Sequence, residues 1–277
     1  MNQGPRPTLV LGGTGKTGRK VAERLTGRGV PVRVASRAGT TLFDWTDEAT
    51  WRPAVHGAEA AYLSFYPDIS AAGAPEAVRA FADVAVEAGV RRLVLLSGRG
   101  EPEAQRAERL VQDAGAEWTV VRCSWFNQNF SENSLLDQIR AGRVVLPGGH
   151  VPEPFVDTGD IADVAVTALT GDGHAGEIYE LTGPRMLTFA EATAEIARAT
   201  GRDIEFVPVT LDEYATELKA QGLPDDLVAM LTFLFGEVMD GRNSSLTDGV
   251  ERALHRAPRD FGDYAGATAA TGVWDPA

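Results

Sequence analysis

The first part of the chain alternates short apolar runs with amphipathic stretches. Residues 8–11 and 32–35 are apolar runs that read as strands, and 58–65 is a third, after a looser stretch at 43–45. Residues 17–25 carry apolar positions at helical spacing and stop near Gly27 or Gly29. Between 75 and 88, Val78, Phe81, Ala82, Ala85 and Ala88 recur every three or four residues, and Gly89 ends the run. The stretch RLVLLS, 92–97, is continuously apolar, as in a strand buried on both faces of a parallel sheet. Residues 103–114 place Ala107, Leu110, Val111 and Ala114 on one helix face, closed by Gly115, and 118–122 is the next strand. Strands alternating with helices predict an α/β fold of Rossmann type, a doubly wound parallel sheet.

After about residue 125 the rhythm changes. NQNFSENSLLDQIRAG reads as a loop followed by a helix, and RVVLPGGHVPEPFVD is turn-rich. Asp160 is placed to cap a helix running to Leu169. Residues 177–181 fit one more strand. Thr188 with Glu191, and Thr210 with Glu213, have capping-box spacing, and 225–239 and 258–268 are helical in pattern. The expected organisation is a core over 1–125 and a smaller, mostly helical substrate lobe over 126–277. A segment at about 150–182 is expected to return to the core.

Composition removes some function classes. A net charge of −13 leaves no excess of cations to displace counterions, so no nucleic-acid partner is expected. The single cysteine, Cys123, excludes an internal disulfide and a multi-cysteine metal site, and the histidines at 56, 150, 174 and 255 have no paired metal spacing, so no metal is expected. The start, MNQGPRPTLV, has no apolar leader, and no run approaches the ~20 apolar residues that span a bilayer. The expectation is a cytoplasmic protein without a membrane partner, monomeric or homodimeric, acting on a small molecule.

The chemistry begins at LVLGGTGKTGRK, 9–20. Gly15-Lys16-Thr17 resembles the end of a triphosphate-binding loop, but the first glycine of such a loop would fall at Val10, inside the first strand. The dinucleotide reading fits: a strand runs into Gly12-Gly13-Thr14-Gly15-Lys16-Thr17-Gly18 and a helix follows. Gly12 permits the turn, Gly15 lets the backbone approach a pyrophosphate, and Gly18 lets helix and strand pack closely. The second strand ends in Ser36 and Arg37 instead of the acid that binds ribose hydroxyls. An arginine there pairs with a 2′-phosphate, so NADP(H) is expected in preference to NAD(H).

The stretches GGTGKTG, VRVASR, RRLVLLSGRG, AEWTVVRCSWFNQNF, DTGDIADVAVTAL, YELTGPRMLTFAEA and RDFGDYAGATAATGVW, in that order, resemble the NmrA-like group of atypical short-chain dehydrogenases/reductases. The resemblance covers nearly the whole chain. It implies further cofactor contacts: Asp44 and Trp45 at adenine, Ser64, Phe65 and Tyr66 at the adenosine-side ribose, and Ser97 and Gly98 beneath the nicotinamide ribose. It implies that Cys123, Ser124, Trp125 and Phe126 flank the nicotinamide, and that 127–130, with Asn127 and Phe130, begin the substrate cleft. Trp125, Phe126, Phe130, Phe233 and Phe235 form an aromatic set suited to an apolar substrate.

The usual Tyr-x-x-x-Lys acid of short-chain dehydrogenases is missing. The tyrosines are 62, 66, 179, 214 and 264, the lysines 16, 20 and 219, and no tyrosine has a lysine four residues later. Unassisted carbonyl reduction loses support, whereas an electron-poor quinone, enone or iminium needs little acid assistance. By position alone, Ser97, Tyr66, His150 and Asp157 are proton-donor candidates. The expected function is an NADPH-dependent reductase of such an acceptor; the alternative is a cofactor-sensing regulator without chemistry.

Overall fold

The computed structural model describes residues 5–132 and 134–276. The leader reading at residues 1–4, and the point where the loop-then-helix reading crosses residue 133, lie outside the described residues. In chain order the elements are β1 (Thr8–Leu11), α1 (Gly18–Gly27), β2 (Val32–Ser36), β3 (Thr41–Leu42), α2 (Trp51–Val55), β4 (Ala60–Leu63), α3 (Ala74–Glu87), β5 (Arg92–Gly98), α4 (Pro102–Gln112), β6 (Glu117–Cys123), α5 (Ser134–Arg140) and β7 (Arg143–Pro147). They continue with α6 (Thr158–Thr170), β8 (Glu177–Leu181), α7 (Phe189–Thr200), β9 (Glu205–Val209), α8 (Leu211–Ala220), α9 (Asp225–Phe233), α10 (Gly249–Leu254) and α11 (Phe261–Ala269).

The chain forms two compact units. The first comprises Met1–Cys123, Thr158–Leu181 and Asp248–Arg256; the second comprises Ser124–Asp157, Thr182–Thr247 and Ala257–Ala277. In the first unit seven parallel strands run in the order β3-β2-β1-β4-β5-β6-β8, a doubly wound sheet. β1 is wholly buried, as its unbroken TLVL requires. One sheet face is covered by α2, α3 and α4 through Trp51, Val78, Phe81, Ala85, Ala107 and Val111. α6 is buried almost throughout, which is why its sequence shows a weak helical stripe.

The second unit is held by aromatic rings. Phe130, Phe155, Phe189 and Phe261 meet at centroid distances of 5.0–5.7 Å. Trp274 is fully buried and its Nε1 donates to the Phe130 carbonyl at 2.8 Å. Capping boxes start α7 at Thr188 and α8 at Thr210.

Four local expectations are corrected. Residues 143–147, within the stretch read as turns, form β7, which pairs in parallel with β9; the Pro-Gly-Gly that closes β7 and Pro208 within β9 are turn signals that hide two short strands. Asp160 does not cap α6, which begins at Thr158; it lies in the first turn, where Arg256 donates to it at 2.6 Å. The helix expected over 225–239 is α9 followed by a wider π-helical turn at Leu234–Val238. Asp248–Arg256 joins the first unit: Gly249 lies so close to β8 that a Cβ there would stand 2.2 Å from the Glu180 carbonyl oxygen.

Candidate active site

The glycine turn leaves the carboxyl end of β1. Gly12 has φ +62°, outside the range of ordinary L residues, and Gly15 N–H donates to its carbonyl at 2.9 Å. A Cβ on Gly18 would stand 2.3 Å from the Gly12 carbonyl oxygen, so only glycine lets α1 begin there. On Gly13 it would meet Val34 at 2.6 Å. Thr14 and Gly15 are exposed, Lys16 is half-buried and Thr17 is buried. The first turn of α1 holds no acidic side chain and no side-chain cap. An anion at this helix N-terminus therefore has no competitor from α1 itself.

Ser64 lies against the turn, 3.3 Å from where a Gly12 Cβ would be. At the end of β2, Ser36 is 8% exposed and its Oγ has no hydrogen-bond partner. Arg37 is exposed, with its guanidinium carbon 4.2 Å from the centroid of the Tyr66 ring. The orphaned Ser36 hydroxyl and the cradle that a Cβ would fill fit a nicotinamide dinucleotide. Asp44 accepts from Thr46 N–H and Oγ1, both at 2.9 Å, and these two bonds hold its carboxyl below the ordinary range. Trp45 is turned into the core: its Nε1 donates to the Ser64 carbonyl and its ring packs 4.9 Å from Phe65. The turn, Ser64, Phe65 and Trp45 are thus drawn together, as are Arg37 and Tyr66.

At the carboxyl ends of β5 and β6, Ser97 Oγ donates to Glu108 at 2.6 Å, which commits its proton. Arg122 closes on the same carboxylate, with Nε 2.9 Å from Oε1. Gly98 has no room for a side chain, because the Glu101 carboxyl occupies the place of its Cβ. Cys123 is buried, its thiol directed at the Val121 carbonyl; burial, with a smaller push from Glu101, raises the thiol pKa, which makes it a packing residue and not a nucleophile.

In the second unit, Asn127 is fully buried, and neither its Oδ1 nor its Nδ2 has a hydrogen-bond partner. Ser124 Oγ is likewise buried without a partner. Trp125 is half-buried between Phe189, at 5.4 Å, and Phe235, at 5.0 Å. Phe126 and Phe233 are half-buried, and Phe130 is fully buried in the ring cluster. Asp157 accepts from Gln128 Nε2 at 2.8 Å, and His150 stands exposed in the loop after β7.

The sequence reading missed Asp68, Glu101, Glu108 and Arg122. Helix periodicity marks Glu101 and Glu108 as polar positions, and nothing local distinguishes a buried carboxyl from a solvated one.

No family model matches the chain. It is 32% identical over 97% of its length to an uncharacterized oxidoreductase, YesF, of Bacillus subtilis, covering 98% of that protein. It is 34% identical to a (4-alkanoyl-5-oxo-2,5-dihydrofuran-3-yl)methyl phosphate reductase of Streptomyces griseus, covering 92% of this chain and 95% of the other. Its fold matches the NADPH complex of the Escherichia coli quinone oxidoreductase QOR2 with a TM-score of 0.78 at 21% identity, covering 94% and 99% of the two chains. Among the described residues no helix is long and apolar enough to cross a membrane.

Proposed function

The chain belongs to the NmrA-like group of atypical short-chain dehydrogenases/reductases and is an NAD(P)H-dependent oxidoreductase, and we propose that it uses NADPH to reduce an electron-poor, apolar small molecule such as an enone, quinone or iminium. The carrying observation is a dinucleotide cradle in a chain in which no tyrosine has a lysine four residues later. Tyr62 is a core strand residue, Tyr66 underlies Arg37, Tyr179 bonds His174, and Tyr214 and Tyr264 are buried in the second unit. An acceptor that is already electrophilic takes hydride without a tyrosine acid, and any proton it then needs can come from another group.

The glycine turn would hold the pyrophosphate and, with Ser36, Arg37 would take the 2′-phosphate. NADPH, when bound, supplies hydride. The orphaned Ser124 and Asn127 groups supply hydrogen bonds that a polar substrate group would satisfy, since buried polar atoms seldom stay unpaired. Trp125 and Phe235 supply the apolar contact. The unsaturated lactone in the name of the Streptomyces griseus relative supports the enone as the first acceptor to try.

Steady-state oxidation of NADPH and NADH against enones, quinones and iminium salts tests the proposal. Turnover of at least one acceptor with NADPH preferred is expected. Tight NADPH binding with no turnover of any acceptor would instead favour a cofactor-sensing regulator.

A further inference from the structure

Glu101 and Glu108, two turns apart at α4, are both buried and receive opposite treatment. Glu108 is 2% exposed and fully compensated: Ser97 Oγ and Arg122 Nε donate to Oε1, and the Arg122 Nη2 donates to Oε2 at 2.5 Å. Glu101 is 8% exposed, and no N–H or O–H group reaches its Oε2. The neighbouring arginines are engaged elsewhere, Arg99 on Glu180 and Arg122 on Glu108 and Glu180. Among the described residues no cation pairs with Glu101.

The groups that face Glu101 are acids. The Asp68 carboxyl, on the loop after β4, is within hydrogen-bonding reach, Glu108 lies along α4, and the Cys123 thiol ends β6. Burial first, then Asp68 and Glu108, push the Glu101 carboxyl well above the usual range. A buried carboxyl facing two acids and no donor favours its protonated form, which can donate to the neighbouring carboxylate. Glu108 is thus held by three donated hydrogen bonds, whereas the Glu101 Oε2 receives none.

Position points to a use. The Glu101 carboxyl sits over Gly98, 2.2–2.4 Å from where a Cβ would be, at the carboxyl end of β5. The ends of β4 and β6 flank it, on the edge where sheets of this strand order receive their ligands. Asp68 is only half-buried, which gives the proton a way out.

We propose that Glu101, paired with Asp68, is the acid that delivers the proton of the reduction in place of the missing tyrosine; the assignment rests on the reductase reading above. With an enone, hydride addition leaves an enolate. The Glu101 O–H bond breaks, the proton joins the enolate carbon or oxygen, the electron pair stays on the carboxylate, and water restores the proton. An iminium becomes a neutral amine on receiving hydride alone and needs no acid.

The test uses the full chain, wild type and Glu101→Gln, with one enone, one iminium salt, NADPH titration by fluorescence, and melting temperature against pH. Glutamine copies the neutral acid and can still donate to Asp68, but has no proton to transfer. NADPH affinity and iminium reduction should be unchanged, whereas enone kcat should fall about 10²–10⁴-fold, the range of a positioned acid. A group raised on folding stabilises below its unfolded pKa, and that contribution is lost as pH rises through the folded value. Wild-type stability should therefore decline across that window and the Glu101→Gln curve should not, so the variant melts higher at neutral and alkaline pH.

Asp68→Asn is the second variant. Removing the neighbouring negative charge lowers the Glu101 pKa, so the alkaline limb of enone kcat should move to lower pH. Equal losses with enone and iminium, or no loss with either, overturn the proposal. So does weakened NADPH binding with an unchanged pH profile, which would make Glu101 a ribose ligand. Failure of the wild type to reduce any acceptor defeats the underlying reductase reading, a result distinct from an active Glu101→Gln enzyme.

Discussion

The two units solve opposite problems. The first makes room: glycines at 13, 18 and 98 stand where a Cβ would collide, Gly12 has a positive φ, and the functional groups are backbone and short side chains held at strand ends. The second fills space: a ring cluster around Phe130 and Trp274 packs its interior, and its functional candidates are polar atoms left unpaired inside it. A turn that receives a constant ligand is confined to a few consecutive residues. A pocket for a particular substrate is assembled from residues far apart in the chain, and its unpaired groups are a cost that only the bound ligand offsets.

The contrast can be broken most directly at its anchors. Trp274→Ala removes a fully buried indole and orphans the Phe130 carbonyl, so the chain should lose about 3–5 kcal/mol, measured by denaturant unfolding. Little loss would show that the second unit does not depend on its ring core. Gly18→Ala places a methyl against backbone that cannot yield; it should cost about 1–3 kcal/mol and abolish measurable NADPH binding, by calorimetric titration.

Arg37→Ala should weaken NADPH by about 1.5–3 kcal/mol, the worth of a hydrogen bond to a charged group, and leave NADH unchanged. Equal effects on both dinucleotides would remove Arg37 from the 2′-phosphate. The smallest effect sharpens the second half of the comparison. Asn127→Leu removes two unsatisfied buried atoms, so it should stabilise the chain by about 1 kcal/mol while raising the substrate KM. A destabilised variant with unchanged KM would assign Asn127 to the fold alone.

Much of this was legible before any coordinates. The glycine turn spans seven consecutive residues between a strand and a helix, and Ser36 closes the next strand, so both are readable from local order. The capping boxes at Thr188 and Thr210 were readable for the same reason, since both partners lie within one turn. β7 and β9 were not, because each is five residues long, and its partner is some sixty residues away. Trp45 was expected at adenine and is turned into the core beside Phe65, a choice made by neighbours from α2, α3 and the loop after β4.

The sequence by itself determined the alternation of strand and helix, the dinucleotide turn and the absence of a Tyr-Lys acid, all properties of residue type and short spacing. Only the tertiary structure decided which buried carboxyl is compensated by donors and which is not. Glu101 and Glu108 are the same residue type on the same short stretch, yet Arg122, fourteen residues beyond Glu108, reaches one, while Asp68, from another strand end, faces the other. Ionisation depends on burial and on the sign of the nearest charge, and both are set by elements that meet only in the folded chain.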